Sequence, residues 1–176
     1  MEKIKLIIIE QDEKSGKELS KSIEKDERII IDKIYTDATD ALEYLKYNKV
    51  DIVLTELVLK GMDGFEFIES IKKLNLGSST KLIVGTHLSG EGFIQRAFNL
   101  GADYYMIKPF TAKTLIERIN DLILNESSQN DKSSQVISNI SKPVIQNNNK
   151  NKQLEILQSY KKSIIYEYVT GKKEVK

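Results

Sequence analysis

The feature that most constrains the fold is the alternation, over residues 1–125, of short apolar runs with stretches of helical period. The apolar runs are rich in Ile, Val, Leu or Tyr, which is typical of strands buried on both faces of a parallel sheet. The stretches between them repeat apolar residues every three or four positions and predict helices that pack one face on that sheet. Five strand-helix units follow, and the predicted strands are Ile4–Ile9, Ile29–Ile34, Ile52–Thr55, Leu82–Thr86 and Tyr104–Ile107.

Polar residues stand where the helices of these units would begin. Thr36 or Asp37, Asp63 and Thr111 precede apolar-periodic stretches, and such side chains accept hydrogen bonds from the first backbone N–H groups of a helix. Right-handed connections between parallel strands place helices on both faces of the sheet. We therefore expect an α/β fold with a doubly wound, five-stranded parallel sheet, whose ligands would bind at the carboxyl ends of the strands.

Composition excludes several classes of protein. The chain has 176 residues with no Cys and one His, which excludes disulfides, thiolate nucleophiles and Cys-ligated metal sites. We therefore expect a reducing, cytoplasmic location. The apolar run Ile7–Ile9 ends at Glu10, too early for a signal peptide or a membrane span. The net charge of +1 gives no general attraction to nucleic acid or to a membrane, so we predict neither membrane attachment nor direct DNA binding.

Side chains suited to phosphate chemistry follow four of the predicted strands. In chain order they are Glu10-Gln11-Asp12 after the first strand, Glu56 after the third, Thr86 at the end of the fourth and Lys108 after the fifth. These residues are expected to converge, because the carboxyl ends of parallel strands meet at one edge of the sheet. Carboxylates are ligands for Mg²⁺, and a lysine and a hydroxyl bind phosphoryl oxygens. The pattern predicts a site for a divalent cation and a phosphoryl group.

The chain resembles a response-regulator receiver domain from residue 2 to about residue 125. The resemblance is carried by the opening MEKIKLIII, the GMDG turn and the segment NLGADYYMIKPF. These segments look closest to the receiver of the stage-zero sporulation regulator A of spore-forming bacteria. The resemblance implies a flavodoxin-like fold with strand order 2-1-3-4-5. It also implies a part in the phosphorelay of a two-component system, including sporulation, and not the role of an enzyme.

The resemblance also assigns roles to individual positions. In the family, an acidic pair and an aspartate hold Mg²⁺, and that aspartate accepts the phosphoryl group. The matching positions in this chain are Glu10 and Gln11 for the acidic pair, Glu56 for the phosphoacceptor, Thr86 and Tyr105 for the switch and Lys108 for the lysine that binds the phosphoryl group. With Asp12 beside the acidic pair, the metal ligands implied by the resemblance are Glu10, Asp12 and Glu56.

Gln11 and Glu56 depart from the family pattern. Gln11 offers a neutral carbonyl in place of a carboxylate, which weakens a cation site, and Asp12 would compensate only in part. Glu56 carries its carboxylate about 1.5 Å further out, and a displacement of about 1 Å can cost in-line transfer about 100-fold in rate. The same reach lets Glu56 contact Lys108 or Thr86 without phosphate, either to imitate the phosphorylated state or simply to hold two loops together. Mg²⁺ is therefore a weakened cofactor, and no other cofactor is predicted.

The composition changes after Asn125. Residues 126–152 are rich in Ser, Asn, Gln and Lys, which predicts a disordered polar linker. Residues 153–171 have an amphipathic pattern that ends at Gly171 and predict a helix that needs a partner. Its segment LQSYKKSIIYEYVTGKKEV is similar to the C-terminal helix of the specificity subunits of type I restriction-modification enzymes. A self-associating helix is the alternative, and we expect no DNA-binding domain in the remaining length.

Three hypotheses about function follow. The first is a phosphorylation-independent receiver that acts by protein–protein interaction. It would form a homodimer or bind a partner through the fourth helix, fifth strand and fifth helix, around Tyr105. In the second hypothesis, a Mg²⁺-dependent receiver still accepts a phosphoryl group on Glu56. The third is an accessory protein that docks on a restriction-modification complex through its C-terminal helix.

Overall fold

The structure is a computed structural model that describes residues 3–74 and 80–130, with side chains described as far as residue 124. Within these residues, five parallel strands form one sheet in the order β2-β1-β3-β4-β5. In chain order the elements are β1 (Ile4–Ile9), α1 (Glu13–Ile23), β2 (Ile29–Tyr35), α2 (Ala38–Leu45), β3 (Ile52–Thr55), α3 (Gly64–Lys73), β4 (Lys81–Thr86), α4 (Glu91–Leu100), β5 (Tyr104–Ile107) and α5 (Ala112–Asn130). The predicted doubly wound α/β fold and its strand order are confirmed.

The side-chain caps that the sequence predicted fix where three of the helices begin. Asp37 caps α2, because its Oδ1 accepts the Thr39 N–H at 2.8 Å, so the predicted alternative Thr36 is not the cap. Asp63 caps α3 by accepting the Phe65 N–H at 2.9 Å. The N–H of the residue three positions after Thr111 donates to the Thr111 hydroxyl at 3.1 Å at the start of α5. These caps set the length of the loops that carry the strand-end residues.

The core lies between the sheet and the helices that cover it. The central strands β1, β3 and β4 contribute fully buried aliphatic side chains, and α5 packs Leu115 and Ile119 against them. Each such side chain stabilises the fold by about 1.5–3 kcal/mol relative to an exposed position. The carboxyl ends of the strands, where the candidate residues lie, are therefore held by a tightly packed core.

Helix α5 continues beyond the predicted end of the domain at residue 125. It reaches Asn130, so residues 126–130, which the composition assigned to the linker, are helical. The segment contains no Gly or Pro that would stop a helix, which explains the difference. The remainder of the predicted linker and the predicted helix at 153–171 lie outside the described residues. The chain divides into two units, Met1–Ser134 and Gln135–Lys176, and the described residues all belong to the first.

No helix in the described part of the chain combines the length and the apolar character needed to cross a membrane.

Candidate functional site

Three charged side chains meet at the carboxyl end of the sheet. The Lys108 ammonium, after β5, donates hydrogen bonds to Glu10 Oε2 and, at 2.8 Å, to Glu56 Oε2. Strand pairing places the two carboxylates side by side, since Ile9 of β1 is the register partner of Thr55 of β3. The Glu10/Lys108/Glu56 triad therefore ties together the ends of three strands.

The triad is largely shielded from solvent. The side chains of Lys108, Glu10 and Glu56 are 17%, 12% and 7% exposed. Burial by itself lowers the pKa of Lys108, but the hydrogen bonds and charges of the two glutamates outweigh it and raise that pKa above its ordinary value of 10.5. The ammonium thus stays charged and bound at any physiological pH.

Both carboxylate oxygens of Glu56 are engaged. Oε2 accepts from Lys108, and Oε1 accepts the N–H of Leu57 at 2.7 Å. The residue as a whole is only 6% exposed. A carboxylate that attacks phosphorus needs an oxygen free to approach it in line. Each oxygen of Glu56 already accepts one hydrogen bond, so Lys108 and Leu57 would compete with phosphorus for its lone pairs.

Of the three predicted Mg²⁺ ligands, Glu10 and Glu56 meet at Lys108, and Asp12 does not complete a metal site with them. Asp12 caps α1, and its Oδ2 accepts hydrogen bonds from the hydroxyl and the backbone N–H of Ser15, which hold its pKa below the usual range. Gln11 is exposed. In the part of the chain that the structure describes, no group of three or more His, Asp or Glu side chains is arranged to hold a metal ion. Since Glu10 and Glu56 already share an ammonium, the donors present do not fit Mg²⁺ in this arrangement.

The two predicted switch residues converge on the backbone of Leu88. Thr86 is fully buried, and its Oγ1 accepts the Leu88 N–H at 3.3 Å. Tyr105 is 3% exposed, and its hydroxyl donates to the Leu88 carbonyl at 2.8 Å. The pair therefore fixes the segment between β4 and α4. Tyr105 is buried in the fold and is not an exposed contact on the face formed by α4, β5 and α5.

Thr86 does not join the triad, because the oxygens of Glu56 bind Lys108 and Leu57. Sequence reasoning also missed the part played by Leu57 and Leu88, which contribute only backbone groups and therefore leave no signal in residue type. The cap at Asp12 did have a signal, since Asp is among the residues preferred at helix N-caps, where its side chain accepts an N–H such as that of Ser15.

Comparison with protein families identifies the class of protein that this fold and pocket define. Residues 6–120 match the model of the response regulator receiver domain. The chain therefore belongs to the receiver family of two-component signalling.

Two curated relatives share this part of the chain. The heme response regulator HssR of Staphylococcus epidermidis is 30% identical over 120 residues, which are 68% of this chain and 51% of that protein. The uncharacterized transcriptional regulatory protein YbdJ of Bacillus subtilis is 30% identical over 123 residues, 70% of this chain and 52% of that protein. The chain thus spans about half the length of the curated relatives it matches. Neither relative is named for sporulation or restriction, so those two resemblances stay predictions.

Solved structures share the fold. The response regulatory domain of protein mrkE from Klebsiella pneumoniae matches with a TM-score of 0.62 and 25% identity, over 72% of this chain and all of that domain. A two-component response regulator from Clostridium difficile matches with a TM-score of 0.63 and 24% identity, over 70% of this chain and 98% of that one.

Proposed function

We propose that this receiver works without phosphorylation, as a cytoplasmic signalling module that acts by protein–protein interaction and not as an enzyme. The observation that carries the proposal is the Lys108 ammonium bound between Glu10 and Glu56. In the family that the chain resembles, the matching lysine binds the phosphoryl group. Here two of its three N–H donors are taken by carboxylates of the chain itself.

The charge of the triad supports this proposal. One carboxylate supplies about one negative charge, whereas an acyl phosphate supplies about two. Glu10 and Glu56 together bring two negative charges to the same ammonium, and both are mostly buried. These carboxylates bind Lys108 without phosphate, and Glu56 alone supplies about half the charge of an acyl phosphate.

The test is exposure of the full chain to acetyl phosphate with millimolar Mg²⁺, followed by intact mass measurement. We expect no phosphoryl adduct on the wild type, and no adduct on Glu56→Gln. A stoichiometric adduct on the wild type that disappears in Glu56→Gln would overturn the proposal and support the alternative, a Mg²⁺-dependent receiver in which Glu56 accepts the phosphoryl group.

An NMR titration of the same samples gives a second readout. We expect the amide signals of Glu10, Glu56 and Lys108 to be insensitive to Mg²⁺ and then to beryllofluoride, which stands in for a phosphoryl group. Glu56→Asp is the matched variant, because it shortens the side chain to that of the family's acceptor and withdraws one carboxylate from Lys108. If the amide signals shift in Glu56→Asp but not in the wild type, the length of the Glu56 side chain is what closes the pocket.

The whole-protein output is proposed from the relatives and from the sequence. YbdJ is named as a transcriptional regulatory protein, and we propose that this chain supplies a receiver to such regulation through a partner. Roles in sporulation, or in a restriction-modification complex through residues 153–170, rest on resemblance alone. Co-purification with a methyltransferase subunit, lost when residues 153–170 are deleted, is the result expected of the restriction-modification role.

A further inference from the structure

An apolar groove of about 590 Å³ lies beside the triad. One side is the loop between β3 and α3 with the start of α3, and the other is the segment between β4 and α4 with α4 itself. We call it the α3/α4 groove, and the residues used below are Leu57, Val58, Phe65, Leu88, Phe93 and Arg96. It shares α4 with the predicted docking face of α4, β5 and α5, but no described residue of β5 or α5 lines it.

The groove exposes apolar surface from both sides. Five large hydrophobic side chains are exposed among the described residues, and two of them line this groove, Val58 at 56% and Phe93 at 42%. Phe93 also stacks on Phe65, with ring centroids 6.3 Å apart. Apolar side chains that gather around one concavity mark a binding surface, whereas single exposed ones do not.

The groove carries one cation without a carboxylate partner. The Arg96 guanidinium lies 4.2 Å from the centroid of the Phe65 ring, and no described carboxylate lies within ion-pair distance of it. Asp63, the acidic residue of the lining, accepts the Phe65 and Glu66 N–H groups as the cap of α3 and forms no ion pair with Arg96. A guanidinium over an aromatic ring keeps its N–H donors available at the ring's edge, where a carboxylate can bind them in pairs. The guanidinium thus offers a binding position for a carboxylate of a partner.

Both sides of the groove begin at residues of the signalling pocket. The Leu57 N–H donates to Glu56 Oε1 at 2.7 Å. Across the groove, the backbone of Leu88 is held by Thr86 and Tyr105. The triad and the switch residues thus fix the shape of the groove.

We propose that the α3/α4 groove binds a segment of a partner protein that places apolar side chains between Val58 and Phe93 and a carboxylate on Arg96. The proposal rests on the proposed function in taking protein binding as the output. It adds the surface and the chemistry of the partner. A cation beside aromatic and aliphatic walls suits an acidic amphipathic peptide.

The test is an NMR titration of the full chain with two synthetic amphipathic peptides of equal length. Both carry a Leu and Phe face, and one has Glu where its twin has Lys. We expect the Glu peptide to shift the amides of Val58, Phe65 and Phe93, and to bind at least about tenfold more tightly than the Lys peptide.

Charge reversal makes the test decisive. Arg96→Glu should weaken the Glu peptide by about tenfold and favour the Lys peptide. Lys113→Glu is the matched control, because it changes the net charge equally at an exposed position on α5 and should leave both affinities unchanged.

Equal binding of both peptides would overturn the groove proposal. So would shifts centred on β5 and α5, or the absence of any shift at millimolar peptide. Phosphorylation does not enter this experiment. A negative result for the groove therefore leaves the proposal of a closed pocket intact. Phosphorylation of Glu56 would likewise not support a groove that binds neither peptide.

Discussion

At the scale of single residues, Lys108 bridges the carboxylates that follow β1 and β3. Lys108→Met keeps most of the side chain's volume but leaves Glu10 and Glu56 facing each other without a cation. Removing one partner of a buried ion pair costs about 3–5 kcal/mol, and the 17% exposure of Lys108 places this case near the lower end. We therefore expect a loss of about 3 kcal/mol in the free energy of unfolding, measured by urea denaturation at pH 7.

The control for this variant is Lys113→Met, because Lys113 is exposed on α5. Its substitution should change the free energy of unfolding by less than about 0.5 kcal/mol. Similar losses from the two variants would mean that the triad adds nothing beyond an ordinary surface lysine.

Wild type and Lys108→Met should also differ in how their free energies of unfolding depend on pH. The pKa of Lys108 is raised above 10.5 in the folded chain, so folding strengthens proton binding there. The resulting stabilisation is present in full below the unfolded value of 10.5 and is lost as the pH rises through the raised folded pKa. The difference between wild type and Lys108→Met should therefore be constant from about pH 7 to about pH 9.5 and shrink above that. A difference that has already vanished by about pH 9 would contradict the raised pKa.

The sequence predicted the residues of the pocket better than their contacts. The contact between Lys108 and Glu56 was predicted as one alternative, because the glutamate side chain reaches further than that of aspartate. Glu10 joins them because the register sets Ile9 beside Thr55, and register cannot be read from residue type. The Asp12 side chain caps its own helix by a local hydrogen bond. This bond competes with any metal site that Asp12 would share with other strand-end residues.

At the scale of elements, the loop after β3 depends on Gly61. Its φ of +78° favours glycine, and a Cβ there would lie 2.2 Å from Asp37 Oδ1, the carboxylate that caps α2. Gly61→Ala should therefore strain the loop and disturb the cap, with a loss of about 2 kcal/mol in the free energy of unfolding. Urea denaturation measures it.

Gly92 is the matched control for that change. It lies in α4, and a Cβ there would meet nothing within 4 Å. Gly92→Ala should stabilise the protein by about 0.5–1 kcal/mol, since alanine loses less backbone freedom in a helix. Effects of the same sign at both positions would show that backbone conformation at Gly61 is not the controlling factor.

The ends of the strands were predictable where they coincide with the ends of apolar runs. The ends of β1, β3 and β5 that were predicted from runs rich in Ile, Val, Leu or Tyr match the observed ends. β2 extends to Tyr35 because Tyr35 pairs with Ile9, and β4 begins at Lys81 because Lys81 pairs with Ile52. The bond from the Ala38 N–H to the Lys60 carbonyl joins two loops that have no periodic pattern, so no sequence signal announces it.

At the scale of the whole molecule, the fold class was predictable because the same strand–helix pattern is repeated along the chain. Five buried strands with intervening helices leave few arrangements with right-handed connections. The strand order came from the resemblance to receivers, which the family match supports. The α3/α4 groove was not predictable, since Val58 and Phe93 line one groove only once β3 and β4 are paired.

The distribution of the core predicts that residues 1–134 fold without the rest of the chain. Its buried cluster draws on β1 to β5 and on α5, and the last side chain packed against it is Ile123. In urea, far-ultraviolet circular dichroism and tyrosine fluorescence of this fragment should report one coincident transition, with a slope of about 1–3 kcal/mol per M. Separate transitions would contradict a single cooperative unit.

A shorter fragment ending at residue 110 provides the contrast. It lacks α5 and therefore Leu115 and Ile119, both fully buried against the sheet. Losing two such side chains removes about 3–6 kcal/mol of burial, a large share of the total stability of a domain of this size. We therefore expect this fragment to show no cooperative transition. If it unfolded as cooperatively as residues 1–134, α5 would be an addition to the core and not part of it.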